Sequence, residues 1–172
     1  MSYIICIIII AASVVLDQIS KLLVVGFLDR EESLVVIPKL FRFTYVENRG
    51  AAFGSFDESR WVFMIASTVL IIGLAIYLFK FRPQSKLACI SMSMIIGGGI
   101  GNMIDRVRLG YVIDFIDFYA FPSVWKWVFN VADAFVCVGC GLMFLWCLRS
   151  IIEESRAEKQ KKLENKNSES EE

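Results

Sequence analysis

Residues 61–79 read WVFMIASTVLIIGLAIYLF, a run with no charge in it. A bilayer core takes about 20 consecutive apolar residues per helix, so this stretch is long enough to cross one. Working outward, three more stretches match it. Residues 3–27 are apolar apart from a break at Asp17, Gln18, Ser20 and Lys21. Residues 87–104 become small and glycine-rich toward their end, and residues 128–148 are interrupted by Asn130 and Asp133. Together the four use nearly half of the 172 residues and leave little for a separate soluble unit. The predicted fold is an all-α membrane protein, a bundle of four transmembrane helices.

Composition agrees. Apolar residues make up 56 % and charged residues 21 %, with a mean hydropathy of +0.59. Lys+Arg and Asp+Glu balance at 18 each, so no basic excess points to nucleic acid. There is no histidine, which removes imidazole bases, Ser-His-Asp and Cys-His mechanisms and every His-containing metal site. Proton chemistry must come from carboxylates, Lys, Tyr or Cys, and neither metal nor other cofactor is expected. The five cysteines are odd in number and absent from the outer connectors, and read as small apolar packing residues facing lipid or neighbouring helices.

Loop charge gives the orientation. The connector 80–86 (KFRPQSK) carries three positive charges and no negative one, which places it in the cytoplasm under the positive-inside rule. Both termini then lie in the cytoplasm, and connectors 28–60 and 105–127 face outward. No Lys or Arg precedes the first span, and its apolar run outlasts a secretory h-region, so it reads as a retained helix. Within the first outer connector, FRFTYV at 41–46 alternates with the period of a strand, and Asn48-Arg49-Gly50 follows as a turn. A small β element on the outer face is expected there. The second outer connector reads as a short interfacial segment carrying an aromatic belt of Tyr119, Phe121, Trp125 and Trp127. Residues 1–152 form the expected membrane unit. Residues 153–172, rich in Glu, Lys, Ser and Asn, read as a charged cytoplasmic tail, either a fraying solvated helix or disordered.

Ionisable groups inside a span cost about 2.5–3.5 kcal/mol each on insertion scales, so each asks for a reason. Asp17 and Lys21 stand four apart on one helix face and can pair. Asp133 has no cation within a helical turn and lies about 7 Å into the fourth span at 1.5 Å per residue. Asp114 follows the third span in VIDFIDF at 112–118. Topology alone brings Asp114 and Asp133 to the same membrane face, with Asp105 and Arg106 beside them. Two carboxylates close together in a low dielectric share a proton, which supplies one base for water and one acid for the reacting group. The alternative is that each aspartate caps a helix end or lines a polar bundle interior.

Five motifs occur in order: DQISK at 17–21, NRGAAF at 48–53, GGIGNMIDR at 98–106, VIDF at 112–115 and FNVAD at 129–133. Together the chain resembles the lipoprotein signal peptidases, the signal peptidase II family, from the first span through the fourth. The resemblance implies an aspartic endopeptidase of the bacterial cytoplasmic membrane, acting near its outer face. Its implied partners are membrane lipids and prolipoproteins carrying a diacylglyceryl-modified cysteine, cleaved on the amino side of that cysteine by a monomer. Asp114 and Asp133 match the family's catalytic pair, while Asn48, Gly50, Asn102, Arg106 and Asn130 match substrate-binding positions. Asp17, Lys21 and Asp105 match positions read as structural support. A proton-relay transporter is the competing class, but it would have short loops. An intramembrane aspartyl protease of the Gly-x-Gly-Asp type would need a motif this sequence lacks.

Overall fold

The computed structural model describes residues 3–30, 32–49, 60–120 and 127–169. In chain order these form α1 (Tyr3–Phe27), β1 (Ser33–Ile37), β2 (Phe41–Asn48), α2 (Arg60–Ile76), α3 (Lys86–Arg108), β3 (Val112–Phe118), β4 (Val128–Phe129) and α4 (Val131–Glu169). A π-helical turn, Tyr77–Phe81, closes α2 and ends at Arg82, whose φ of 56° reverses the chain into the connector. Ser85 then starts α3 by accepting a hydrogen bond from the Ala88 N–H.

Among the described residues, four helices are long and apolar enough to cross a membrane: Tyr3–Phe27, Met64–Phe81, Lys86–Arg108 and Val131–Lys162. Three of them bury 17 % or less of their apolar window inside the protein, whereas α3 buries 56 %. That difference sets the layout. The outer helices turn side chains such as Ile8, Val69, Leu70 and Phe144 outward, each more than half exposed. In water such a belt would drive association; in hydrocarbon it is the correct surface. The central helix is the least apolar of the four because its neighbours are helices and not lipid.

Close approach is what its glycines supply. A Cβ at Gly97 would stand 2.6 Å from Ser13 Cβ and 2.9 Å from the Ile10 carbonyl oxygen on α1. A Cβ at Gly101 would stand 2.6 Å from Asp17 Oδ2. Such small-xxx-small faces let helix backbones meet where lipid provides no hydrophobic drive for association.

At the end of the bundle where α1 and α3 finish and α4 begins lies a four-stranded antiparallel sheet, ordered β1-β2-β3-β4. The predicted β element is therefore present, but it is larger than expected. The second outer connector supplies β3 and β4 to it, and is not merely interfacial. Ile113 and Phe115 on one face of β3 pack with Tyr45 over Val24 and Leu28 near the end of α1. Arg42 and Asp117 are cross-strand partners, paired at 2.6 Å. The helix boundaries also differ from the sequence reading. The third span continues to Arg108, which places Asp105 and Arg106 in the helix and not the connector. Residues 128–129 belong to the sheet, so the fourth helix begins at Val131, and it runs on through the charged tail to Glu169. Gly50, Phe121 and Trp125 lie outside the described residues.

Replacing Gly97 with Ala is expected to cost about 1–3 kcal/mol of stability, the usual range for overfilling a tight contact. Gly141→Ala, where a Cβ meets nothing within 4 Å, should leave thermal unfolding in detergent unchanged or slightly raised.

Candidate active site

The first four N–H groups of a helix need outside partners, and α4 begins among residues chosen to supply them. Asn130, just before it, accepts from the Asp133 N–H through Oδ1 at 2.9 Å. Its own N–H returns to Asp133 Oδ2 at 3.2 Å, closing a reciprocal capping box. Asp17 reaches across from α1 to accept the Ala132 N–H at 2.9 Å. Asp133 thus stands in the first turn of α4 and not deep in a span, because 128–129 joined the sheet. It serves as a cap and still presents a carboxylate to the space beside it.

That space is a cavity of about 230 Å³ lined by Asn48, Asn102, Arg106, Asp114 and Asp133, with Trp127, Phe129 and Val136 among its apolar walls. Asp114 arrives on β3 and is 2 % exposed. Its Oδ2 accepts from Asn48 Nδ2 at 2.8 Å, and its Oδ1 from Asn130 Nδ2 at 2.6 Å. Asp133 Oδ1 accepts from Asn102 Nδ2 at 2.8 Å. Two carboxylates therefore line one cavity, each gripped by amide donors. Burial, and then the negative charge of Asp133, push the Asp114 carboxyl up to about 7. Arg106 lines the same cavity and donates to the Asn102 carbonyl oxygen at 3.4 Å.

Behind the cavity sits Lys21, 2 % exposed. Its ammonium meets Asp17 Oδ2 at 2.9 Å, Asp105 Oδ2 at 2.7 Å and Asn102 Oδ1 at 3.0 Å. Three donors find three acceptors. The predicted Asp17–Lys21 pair is present, with Asp105 as an additional partner. Asp105 Oδ2 also accepts the Ile113 N–H at 3.2 Å, tying the end of α3 to β3.

The profile of a family described as Signal peptidase (SPase) II matches residues 9–149. A lipoprotein signal peptidase of Caldanaerobacter subterraneus subsp. tengcongensis is 49 % identical over 133 residues, 77 % of this chain and 88 % of the relative. One of Geobacter metallireducens is 43 % identical over 149 residues, 85 % of this chain and 91 % of its own. The fold is similar to a solved structure of a bacterial membrane enzyme, with a TM-score of 0.77 at 29 % identity, covering 85 % of this chain and 88 % of that one. The chain belongs to the signal peptidase II family.

As a signal peptidase II it is a membrane protease acting on peptide bonds. Among its described residues, one participant escaped the sequence reading. Gln18 donates to Asp105 Oδ1 at 2.9 Å, to Asp17 Oδ2 at 3.2 Å and to the Gly101 carbonyl at 3.2 Å. The signal was available, since Gln18 is itself a polar residue inside a span and lies three residues before Lys21. Trp127, expected in an aromatic belt, and Phe129, within the FNVAD motif, form apolar walls of the cavity.

The stability of this signal peptidase II should carry a pH signature of Asp114. The folded protein holds a proton there that the unfolded chain releases at the ordinary carboxylate value of 3.8. The folded state binds more protons between that value and about 7, so stability falls as pH rises through this window. Thermal unfolding in detergent across that range should show the decline, and Asp114→Asn should remove that share of the slope.

Proposed function

We propose that the chain removes signal peptides from diacylglyceryl-modified prolipoproteins, cleaving on the amino side of the lipid-bearing cysteine. Asp114 and Asp133 act together on one water. Asp133 takes a proton from the water as its oxygen attacks the scissile carbonyl carbon, and Asp114 donates its proton to the carbonyl oxygen. As the tetrahedral species collapses and the C–N bond breaks, Asp133 passes its proton to the departing amine and Asp114 takes back a hydroxyl proton, restoring the pair. The observation that carries this reading is the shared cavity, with both carboxylates in its lining and amide donors on each. The division of roles rests on position. Asp133 sits at the N-terminus of α4, where the aligned peptide dipoles favour negative charge, while Asp114 holds a proton up to about 7.

Asn48, Gly50, Asn102, Arg106 and Asn130 hold the substrate backbone, and Asp17, Lys21 and Asp105 support them. Primary amides can donate and accept at once, which suits a peptide that has left water. Acyl chains of the substrate stay in the bilayer, so its scissile bond reaches the end of the bundle where the cavity opens. The enzyme works in the bacterial cytoplasmic membrane with both termini and the tail 153–172 in the cytoplasm, a reading supported by the basic 80–86 connector at the opposite end. Residues 1–152 form the peptidase unit. In this reading it acts as a monomer and without nucleic acid, for which the 18 basic and 18 acidic residues offer no basic excess.

A gel-shift cleavage assay with lipid-modified and unmodified precursor side by side tests this. Asp114→Asn and Asp133→Asn should each lower turnover of the modified precursor by at least about 10²–10⁴-fold while remaining folded. Retained turnover in both variants would discard the assignment. The wild-type rate should also fall above about pH 7 as Asp114 loses its proton.

A further inference from the structure

The Lys21 ammonium touches neither aspartate of the proposed pair in any described hydrogen bond, yet its three acceptors lead to both. Asp17 Oδ2 takes one of its bonds, and Asp17 Oδ1 grips the N–H of Ala132, the residue before Asp133. Asp105 Oδ2 takes another, and the same oxygen grips the N–H of Ile113, the residue before Asp114. The third acceptor is Asn102 Oδ1, whose amide donates to Asp133 Oδ1. We infer that Lys21 is a positioning residue for the reaction: it sets the separation of Asp114 and Asp133 through two carboxylates, and it fixes the face that Asn102 turns to Asp133.

The amide argument follows from donor chemistry. A lysine ammonium carries only donors, so the side of Asn102 that meets Lys21 must be its oxygen. That oxygen also accepts from Asn130 Nδ2 at 3.0 Å. Asn130 is oriented in turn, because its Oδ1 is committed to the Asp133 backbone N–H. Both amides are therefore locked, and each presents its NH₂ to a carboxylate: Asn102 to Asp133, and Asn130 to Asp114. Without the ammonium, only Asn130 Nδ2 still holds that oxygen, and turning Asn102 over to set it against Asp133 becomes easier. A carboxylate facing an acceptor keeps a proton, and a base that keeps its proton does not activate water. The charged and titratable groups around Asp133 are Asp17 and Lys21 from α1, Asp105 and Arg106 from α3, Asp114 from β3 and Cys137 from α4 itself. Of these, Lys21 makes the described bond to the Asn102 side chain, while Arg106 donates to the Asn102 backbone oxygen.

This inference rests on the proposed roles of Asp114 and Asp133, and the test separates the two. Full-length Lys21→Met, purified in detergent, is compared with wild type on the lipid-modified precursor over pH. The expected result is a loss in kcat of about 100-fold, the scale for a catalytic group misplaced by an ångström, with KM little changed. The acid limb of the rate–pH profile should also move to higher pH. Should Lys21→Met fail to accumulate folded, Lys21→Gln keeps a polar tip that accepts as well as donates, so it no longer forces an oxygen on Asn102, and should show the same limb shift with a smaller loss. Gln18→Leu serves as the control: Gln18 bonds to Asp17 and Asp105 but not to Asn102, so it should lower the melting temperature and leave the limbs where they are. Wild-type limbs in the Lys21 variants, or an equal shift in Gln18→Leu, would overturn the inference. Activity in both Asp114→Asn and Asp133→Asn would instead overturn the reading beneath it.

Discussion

One ammonium group, Lys21 Nζ, is buried between α1 and α3 and meets three acceptors within 3.0 Å. A lone charge inside a span costs about 2.5–3.5 kcal/mol on insertion scales, so Asp17, Lys21 and Asp105 would each oppose insertion if unpartnered. Together they compensate one another, and the remaining carboxylate oxygens do not idle. They accept backbone N–H groups at the start of α4 and at β3, groups that would otherwise need water. Removing one member of such a network leaves uncompensated charge, which in buried pairs costs about 3–5 kcal/mol. The same bonds that let α1 enter the membrane thus anchor the segments bearing Asp114 and Asp133.

Around that anchor the molecule divides its solvent problem. Helices α1, α2 and α4 dissolve in lipid through their outward apolar faces, and α3 is shielded by the other three. Glycines at 97 and 101 bring α1 near enough for Asp17 to reach α4. The sheet lies at one end, fixed to α1 by Tyr45, Ile113 and Phe115 over Val24 and Leu28. From that sheet β2 supplies Asn48 and β3 supplies Asp114. The cavity is therefore a junction where a polar sheet edge, a helix start and a helix end meet at the limit of the apolar spans. A peptide whose lipid remains in the bilayer would encounter polar partners there.

Much of this was legible in residues. Spans could be read because hydrocarbon thickness demands length and apolarity together, and Asp17 with Lys21 because a four-residue spacing puts both on one face. Alternation in 41–46 revealed β2, whose outer neighbour leaves it half covered. The strand at 112–118 was not legible. It is buried on both faces over most of its length, so its apolar run VIDFIDF lost the two-residue period that marks a half-exposed strand. The start of α4 was hidden for a related reason, since Val128 and Phe129 are as apolar as the span they precede. Gln18 was passed over as an interruption because a neutral amide carries no charge demanding a partner. The helix through the tail to Glu169 rests on local propensity and not on burial, a weak signal in a segment so polar.

A single hydrogen ion shared at the cavity is the claim on which the chemistry depends, and infrared difference spectroscopy of the detergent-solubilised protein reads it directly. The expected spectrum at mildly acid pH contains the carbonyl stretch of one protonated carboxyl, fading as pH rises through about 7 and missing in Asp114→Asn. Absence of any such titrating band in the wild type, or its persistence at full strength in Asp114→Asn, would contradict the account.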